Sequence, residues 1–503
     1  MEASGFAVLP FFFVEVRSLE LETTILTGEP KALSGGNPEG KLNLQGPVHL
    51  VGIGGIGMSA LARLLLANGF VVSGSDKELS PVTAELESLG AKIFLGHNAS
   101  NVGQAKTLVV STAINKTNPE VALALESGLE IWHRSDILNF LSQEKKLVAI
   151  TGTHGKTTTT GMVAQVLLDG QIDPTVVVGG IFNHIKSNAR AGKGTFFVAE
   201  SDESDGTHKK SQPYFAVITN IEPDHLENYP GGLEQILQDM ITFANKASKA
   251  VIVCLDDPGC QRIMAKIDAP LITYGKKNSF KKPQYSYESL PGFAMNVFKG
   301  DQKLGLIELG VPGEHNKANA MVAIIVALEA GLEFEQITQS LKNFNGVCRR
   351  FQIQGQVKDI LVVDDYAHHP TEVVATLEAA RQYQTSINAA SKKESIKRIV
   401  ALFQPHQPGR LRDFYQEFCQ CFKEADLVFI ADIYIARGNA IPGIDSQSYA
   451  SKIEHKNVSY LPGNIDQLPA QILPHLKTGD LVLTIGAGNI TNVGPELLKL
   501  LEH

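Results

Sequence analysis

The residues Thr151-Gly152-Thr153-His154-Gly155-Lys156-Thr157-Thr158 follow an apolar run, Leu147 to Ile150, and precede a segment with helical patterning. Glycines here let backbone N–H groups turn inward around phosphate oxygens, and a helix opening at the loop adds the positive end of its dipole. Lys156 can reach the β- and γ-phosphates, and the Thr157 hydroxyl can ligate Mg²⁺. The longer form of this loop carries a glycine where Ile150 stands, so the chain has a shortened variant, G-x-x-G-K-T. Its strand–loop–helix setting predicts a nucleotide-phosphate site.

A second glycine loop, Gly52-Ile53-Gly54-Gly55-Ile56-Gly57, lies between a strand read over Val48 to Ile53 and a helix read over Ser59 to Asn68. Asp76 closes the next strand about twenty residues on, where a ribose-binding carboxylate belongs. This predicts a diphosphate on a helix N-terminus and a ribose hydroxyl on Asp76. An NAD-type dinucleotide and a UDP-linked sugar satisfy that geometry equally.

Carboxylates gather after the run Phe196 to Ala199, as Glu200, Asp202, Glu203 and Asp205. Hard cations prefer oxygen ligands, so Mg²⁺ is the expected occupant. The strand Ala216 to Asn220 ends in another polar cluster, Ile221-Glu222-Pro223-Asp224-His225. Ligands of open parallel sheets bind at this edge. Further on, Asp364-Asp365-Tyr366-Ala367-His368-His369-Pro370 follows a strand, Arg349-Arg350 precedes it, and His406 ends another strand with Arg410 and Arg412 close behind. Those cations suit an anionic substrate. The paired histidines lack a cysteine or a third histidine at ligand spacing, so zinc is not expected there.

Short β-branched runs alternating with helical segments position these residues, which predicts βαβ units, parallel sheets and an α/β fold. The 503 residues suggest about three domains. The strands divide into an extension at 1–45 of unassigned role and units at 46–146, 147–346 and 347–503. Two polar stretches, Lys276 to Pro291 and Ser386 to Lys397, read as surface insertions. A hydrophobic fraction of 43% supports real cores, and a net charge of −8 argues against a general nucleic-acid binder. Five scattered cysteines without a C-x-x-C pair predict neither a disulfide framework nor a zinc site, which fits a reducing cytoplasm. No apolar run approaches the roughly 18 residues of a membrane span. The Phe6 to Val14 run follows Glu2 and is broken by Pro10, so a signal peptide is not expected either.

Taken together, the motifs resemble the Mur ligase family over about residues 46–503. The resemblance rests on His49 and the first glycine loop with Met58-Ser59, on Ser111-Thr112-Ala113-Ile114, and on the phosphate loop. It also rests on Glu200 to Asp205, Asn220 to His225, Gly313-Glu314-His315-Asn316 with Asn319, Arg349-Arg350-Phe351, Asp364 to Pro370 and Phe403 to His406. Met58-Ser59 resembles the family's alanine-adding branch. Some sister ligases place a carbamylated lysine downstream of the Asn220 position, whereas this chain offers Met240 and no lysine before Lys246.

The resemblance implies a Rossmann-like UDP-binding domain, a central ATPase-type parallel sheet with the phosphate loop, and a Rossmann-like C-terminal domain. UDP-N-acetylmuramate would then lie on Gly52, Gly54, Gly55, Gly57, Asp76, Ser111 and Thr112. ATP would lie on Gly152 to Thr158, with Asn316 and Asn319 on the adenine side and Arg350 and Asp365 reaching the γ-phosphate and ribose. Lys156, Glu200 and His225 are the implied catalytic residues. Thr157 and Glu200 would hold one Mg²⁺, and His225 would support a second. ATP's γ-phosphoryl group would pass to the lactyl carboxylate, and L-alanine's amine would attack the acyl phosphate. Two departures touch the amino-acid pocket. Gln407 and Pro408 follow His406 where an arginine and an aromatic residue are usual, and Gly438 replaces a usual glutamate. They leave His406, Arg410 and Arg412 to receive the amino acid's carboxylate, and glycine or L-serine as alternatives to L-alanine. An NAD-dependent oxidoreductase would leave the clusters at Glu200 and His225 unexplained. A folate polyglutamate ligase would carry its phosphate loop near the chain start. A regulatory protein that had lost catalysis has no need of Lys156, Glu200 and His225 together.

Overall fold

The computed structural model describes residues 42–279, 281–391, 395–436 and 439–503. Most of the 1–45 extension and Gly438 lie outside them. The described chain builds three α/β units, each around its own sheet.

The first sheet comprises β1 (Val48–Val51), β2 (Val72–Asp76), β3 (Lys92–Leu95), β4 (Thr107–Val110) and β5 (Glu130–His133). All pair in parallel in the order β3-β2-β1-β4-β5. Every residue of β1 is buried, as expected of a central strand covered on both faces. The strand order reverses beside β1, and the first glycine loop leaves the sheet there. The helix after it begins at Ile56 rather than Ser59, with Gly55 as its N-cap, so the loop's backbone feeds directly into the helix. Residues 42–45 already pack on this unit: Leu44 is buried, and the Thr107 hydroxyl donates to the Gln45 carbonyl at 2.6 Å.

The central sheet comprises β6 (Lys146–Thr151), β7 (Thr175–Phe182), β8 (Ser187–Arg190), β9 (Phe196–Glu200), β10 (Phe215–Ile218), β11 (Ala250–Cys254), β12 (Leu271–Lys276), β13 (Tyr285–Ser289), β14 (Ala294–Lys299) and β15 (Gln302–Glu308). Its order is β15-β14-β13-β12-β11-β10-β6-β9-β7-β8. Side chains alternate between its faces. Val148, Ile150, Phe196, Val198, Phe215 and Val217 enter one core with the helices Lys156–Asp169 and Glu314–Glu329. Leu147, Ala149, Phe197, Ala199, Ala216 and Ile218 enter the other, which is continuous with the core of the first unit.

The third sheet comprises β16 (Gln352–Val357), β17 (Ile360–Asp365), β18 (Arg398–Phe403), β19 (Leu427–Ile430), β20 (Val458–Tyr460) and β21 (Asp480–Ile485). Its order is β16-β17-β21-β18-β19-β20, with only β16 antiparallel to its neighbour among these strands.

Both expected insertions need correction. Lys276 to Pro291 contains β13, whose Tyr285 and Tyr287 are buried in the central core. The lysines and serines around them masked a strand. Ser386 lies inside a helix running Pro370–Ser391, so half of the second stretch is regular structure.

Candidate active site

The phosphate loop is shaped by what crowds it. Gly152 sits at φ +127°, and a β-carbon there would lie 2.2 Å from the Thr219 hydroxyl oxygen. Gly155, at φ +82°, would put one 2.7 Å from Asn319 Oδ1. The His154 N–H donates to Asn220 Oδ1 at 2.8 Å, so the turn after β10 holds the loop from outside. The Lys156 ammonium donates to the carbonyls of Gly152 (2.6 Å) and Thr153 (3.1 Å) and to Glu203 Oε1 (2.8 Å). Burial disfavours its charge, but Glu203, Asp202 and Glu200 outweigh that and hold it protonated. Burial pushes the Glu203 carboxyl up to about 7 despite its ammonium partner. By sequence Glu203 belongs with the acidic run; the fold makes it the partner of Lys156.

The Thr157 hydroxyl donates to Glu200 Oε2 at 2.9 Å, and the Gly179 N–H donates to the same oxygen at 3.1 Å. Hydroxyl and carboxylate oxygens of this kind fit a hard cation. His225, at φ +52°, faces Asp224 at 3.7 Å, and Arg410 bridges Asp224 at 3.1 Å. Among the described residues, the group of three His, Cys, Asp or Glu side chains able to share an ion is His154, Glu222 and His369, which contains neither Glu200 nor His225.

Two cavities flank this loop. One, of about 320 Å³, is lined by His154, Gly155, Thr158, Asn316, Asn319, Arg350 and Asp365, all of them expected nucleotide residues. Asn319 donates to Asn316 Oδ1 at 3.1 Å, and Asn316 to the Pro312 carbonyl at 2.6 Å, fixing both amides. Asp365 accepts from the N–H groups of Phe351 (2.7 Å) and Ala367 (2.8 Å), and burial outweighs Arg350 to raise its pKa to about 6. The helix Pro370–Ser391 contributes Thr371, Glu372 and Thr376, which the sequence reading missed. The available signal was their position directly behind the His-His-Pro turn, at a helix start.

The other cavity, of about 610 Å³, is lined by Gly52, Gly54, Gly55, Gly57, Asp76 and Ser111 from the first unit and by Gly179, Glu200 and Asp202 from the central one. Asp76 accepts the Gly54 N–H at 2.8 Å, which joins the carboxylate to the glycine loop. Thr112 is exposed and does not line it. Arg134, which no sequence motif marked, does: its guanidinium pairs with Asp205 and, at 3.2 Å, with Asp202.

At the third sheet's edge, His406 stacks on Tyr434 with ring centroids 5.8 Å apart. Gln407 adopts φ +69° and caps the helix Pro408–Asp413. Arg410 points inward to Asp224, whereas Arg412 is 56% exposed and pairs with Asp413. The candidate cation for a carboxylate is therefore Arg410, not Arg412. Thr371 also donates to Glu222 Oε2 at 3.0 Å, and Glu372 holds His154 Nδ1 at 3.1 Å. The third unit thus closes over the nucleotide cavity.

A fold of three α/β units around a phosphate loop, with one cavity on each side of it, is that of a nucleotide-dependent ligase. The chain belongs to the Mur ligase family: residues 47–146 match the Mur ligase family catalytic domain, 150–327 the Mur ligase middle domain and 349–488 the Mur ligase glutamate ligase domain. It is 42% identical over 463 residues to a UDP-N-acetylmuramate–L-alanine ligase of Geotalea daltonii, covering 91% of this chain and 98% of that one. The same activity names a Myxococcus xanthus relative, 41% identical over 90% of this chain and 95% of its own. The solved UDP-N-acetylmuramate–alanine ligase of Thermotoga maritima superimposes with a TM-score of 0.76 at 29% identity, covering 90% of this chain and 99% of that one.

Proposed function

We infer that this chain is an ATP-dependent ligase that joins L-alanine to the lactyl carboxylate of UDP-N-acetylmuramate, releasing ADP and phosphate, in peptidoglycan precursor synthesis. The observation that carries the reading is that the glycine-loop cavity reaches the phosphate loop. Glu200 lines the glycine-loop cavity while bonded to Thr157 of the phosphate loop, so a carboxylate reaching from one cavity arrives at phosphate from the other. The UDP-sugar rests on the first glycine loop and Asp76, and ATP lies between the phosphate loop, Asn316, Asn319, Arg350 and Asp365.

Carboxylate and polyphosphate repel, so cations must bring them together. Lys156 holds the γ-phosphoryl group as its charge spreads in transfer. Thr157 and Glu200 would hold Mg²⁺, with His225 beside a second ion; when bound, Mg²⁺ neutralises phosphate charge. Transfer of the phosphoryl group to the carboxylate gives an acyl phosphate. The neutral amine of alanine attacks its carbonyl carbon, phosphate leaves with the C–O bond electrons, and the amide remains after loss of the amine's proton. Arg410 and His406 receive the amino acid's carboxylate. The closed third unit excludes water from the acyl phosphate, which hydrolysis would waste.

No helix among the described residues is long and apolar enough to cross a membrane. We place the reaction in the cytoplasm, in keeping with five free thiols. Phosphate release assayed with UDP-N-acetylmuramate and alanine, glycine or serine tests the whole reading. Alanine should be preferred, and no release with any of the three would sink it. A preference for glycine or serine would favour the second reading that Gln407 permits.

A further inference from the structure

Three side chains, of which His154 and Glu222 also line the nucleotide cavity, converge where the phosphate loop, the turn after β10 and the start of the helix Pro370–Ser391 meet. The ligand atoms of His154, Glu222 and His369 all lie within 4.8 Å of one another. His369 is 4% exposed, yet neither of its ring nitrogens has a hydrogen-bond partner. Its ring packs edge-on against Phe414, with centroids 4.6 Å apart. His154 Nε2 faces Glu222 Oε2 at 3.5 Å, a long ion pair; despite burial, Glu222 and Glu372 raise the ring's pKa to about 9, so a bound ion would have to displace its proton. Native proteins seldom leave buried ring nitrogens unpaired, as both of His369 are here beside the Glu222 carboxylate.

We propose that His154, Glu222 and His369 form a binding site for a divalent transition-metal ion of the zinc class, bridging the central and third units. Two imidazoles and a carboxylate are a known zinc donor set, with an open fourth position for water. Zinc–nitrogen bonds of about 2.0–2.1 Å put tetrahedral ligand atoms about 3.3 Å apart. Side-chain shifts of the order of 1 Å reach that spacing. The outer contacts are already built. Glu372 accepts from His154 Nδ1 at 3.1 Å, leaving Nε2 for the ion, the carboxylate–histidine–metal arrangement common in such sites. Thr371 donates at 3.0 Å to Glu222 Oε2, the oxygen that also faces His154, and so fixes that carboxylate. Imidazole donors separate this site from the oxygen-only pair Thr157–Glu200, since Mg²⁺ favours oxygen and zinc tolerates both. The adjacent pair His368-His369 is not the ligand pair. His369 finds its partner on the phosphate loop, across the junction of the central and third units. A bound ion would therefore staple that unit in its closed position.

The test is equilibrium dialysis of the full chain against Zn²⁺ with millimolar Mg²⁺ present to fill oxygen sites, with metal content read by mass spectrometry. Co²⁺ replaces Zn²⁺ for visible absorption. One zinc per chain and the intense bands of four-coordinate Co²⁺ are expected. Glu372→Gln should weaken zinc binding about 10- to 100-fold. His369→Gln and Glu222→Gln should weaken it further; the half-buried Glu222 position guards against a folding failure at His369. Absence of stoichiometric zinc in the natural chain, or equal zinc binding by all three variants, overturns the site.

Discussion

Inside the phosphate loop, the Lys156 ammonium is held by two backbone carbonyls and Glu203, so its cation is in place before a nucleotide arrives. Lys156→Ala should lower turnover by about 10²–10³-fold or more, as loss of one preorganised electrostatic contact does. It also strips a buried carboxylate of its partner, a change that destabilises strongly. Glu203 already has a folded pKa raised from 4.5 to about 7, so its ionised form is the costly one. Raised folded values mean stability is lost as pH rises from the unfolded value through the folded one. Relative to the natural chain, the variant should therefore melt higher at pH 6 than at pH 8, and Lys156→Ala with Glu203→Gln should regain most of the loss. Pairwise melting curves at both pH values check this; a pH-independent deficit removes Glu203 from the account. Asp76→Ala should weaken UDP-sugar binding by roughly 1.5–3 kcal/mol, the worth of a hydrogen bond to a charged group, as read by calorimetry. Unchanged affinity would show that Asp76 serves only the loop. Lys156, Thr157, Glu200 and Asp76 were legible because the chemistry restricts their types. The pairing of Glu203 with Lys156 and the role of Arg134 were not, since an acid in an acidic run or an arginine at the surface is the ordinary case.

The loop between β6 and the helix Lys156–Asp169 depends on Gly152 and Gly155, each at a positive φ and each crowded by a neighbouring side chain. At Gly152 both the positive φ and the 2.2 Å approach to Thr219 forbid a β-carbon. Gly152→Ala should displace the loop from β10 and abolish ATP binding while the chain still folds, measured by nucleotide titration beside a melting curve. Near-normal ATP affinity would mean the loop relaxes freely. The short helix Pro408–Asp413 separates its arginines, with Arg410 facing Asp224 and Arg412 facing solvent. Arg410→Met should raise the KM for alanine at least tenfold, and Arg412→Met should leave it within a factor of two. Equal effects would remove Arg410 from the amino-acid pocket. Gln407→Arg should lower that KM if the backbone at φ +69° directs the new guanidinium toward His406; no change in KM or selectivity places Gln407 outside the pocket.

Across the whole molecule, the hydrophobic cores are not divided as the sheets are. One core runs from Val48 and Leu61 of the first unit through Leu147, Phe197 and Met240 of the central one. The third unit keeps its own, around Val363, Phe403 and Phe429. Its junction with the central unit is largely polar, through His154–Glu372, Thr371–Glu222, Arg410–Asp224 and Gln382, which receives the Gly313 N–H at 2.6 Å. Interfaces of this kind permit domain motion, whereas a shared apolar core does not. Calorimetry should therefore resolve two unfolding transitions, one for the first two units together and one for the third. Adding ATP should bring them closer, because the nucleotide cavity spans that polar junction. Three transitions would show that the shared core does not couple the first units.

From the sequence alone came the α/β class, both glycine loops, Lys156 with Thr157 and Glu200, and the family resemblance. Each rests on contiguous chain, since a strand, a tight turn and a helix N-terminus make a phosphate cradle from backbone groups only a few residues apart. The buried tyrosines of β13 escaped because their neighbours in sequence are polar, and burial there is set by the strands alongside. The outward turn of Arg412, the pairing of Glu203 with Lys156 and the meeting of His154 with Glu222 and His369 were decided by tertiary structure. Those side chains come from separate loops, and their distances depend on how three sheets dock, which hydrophobic burial drives without regard to the spacing of residues along the chain.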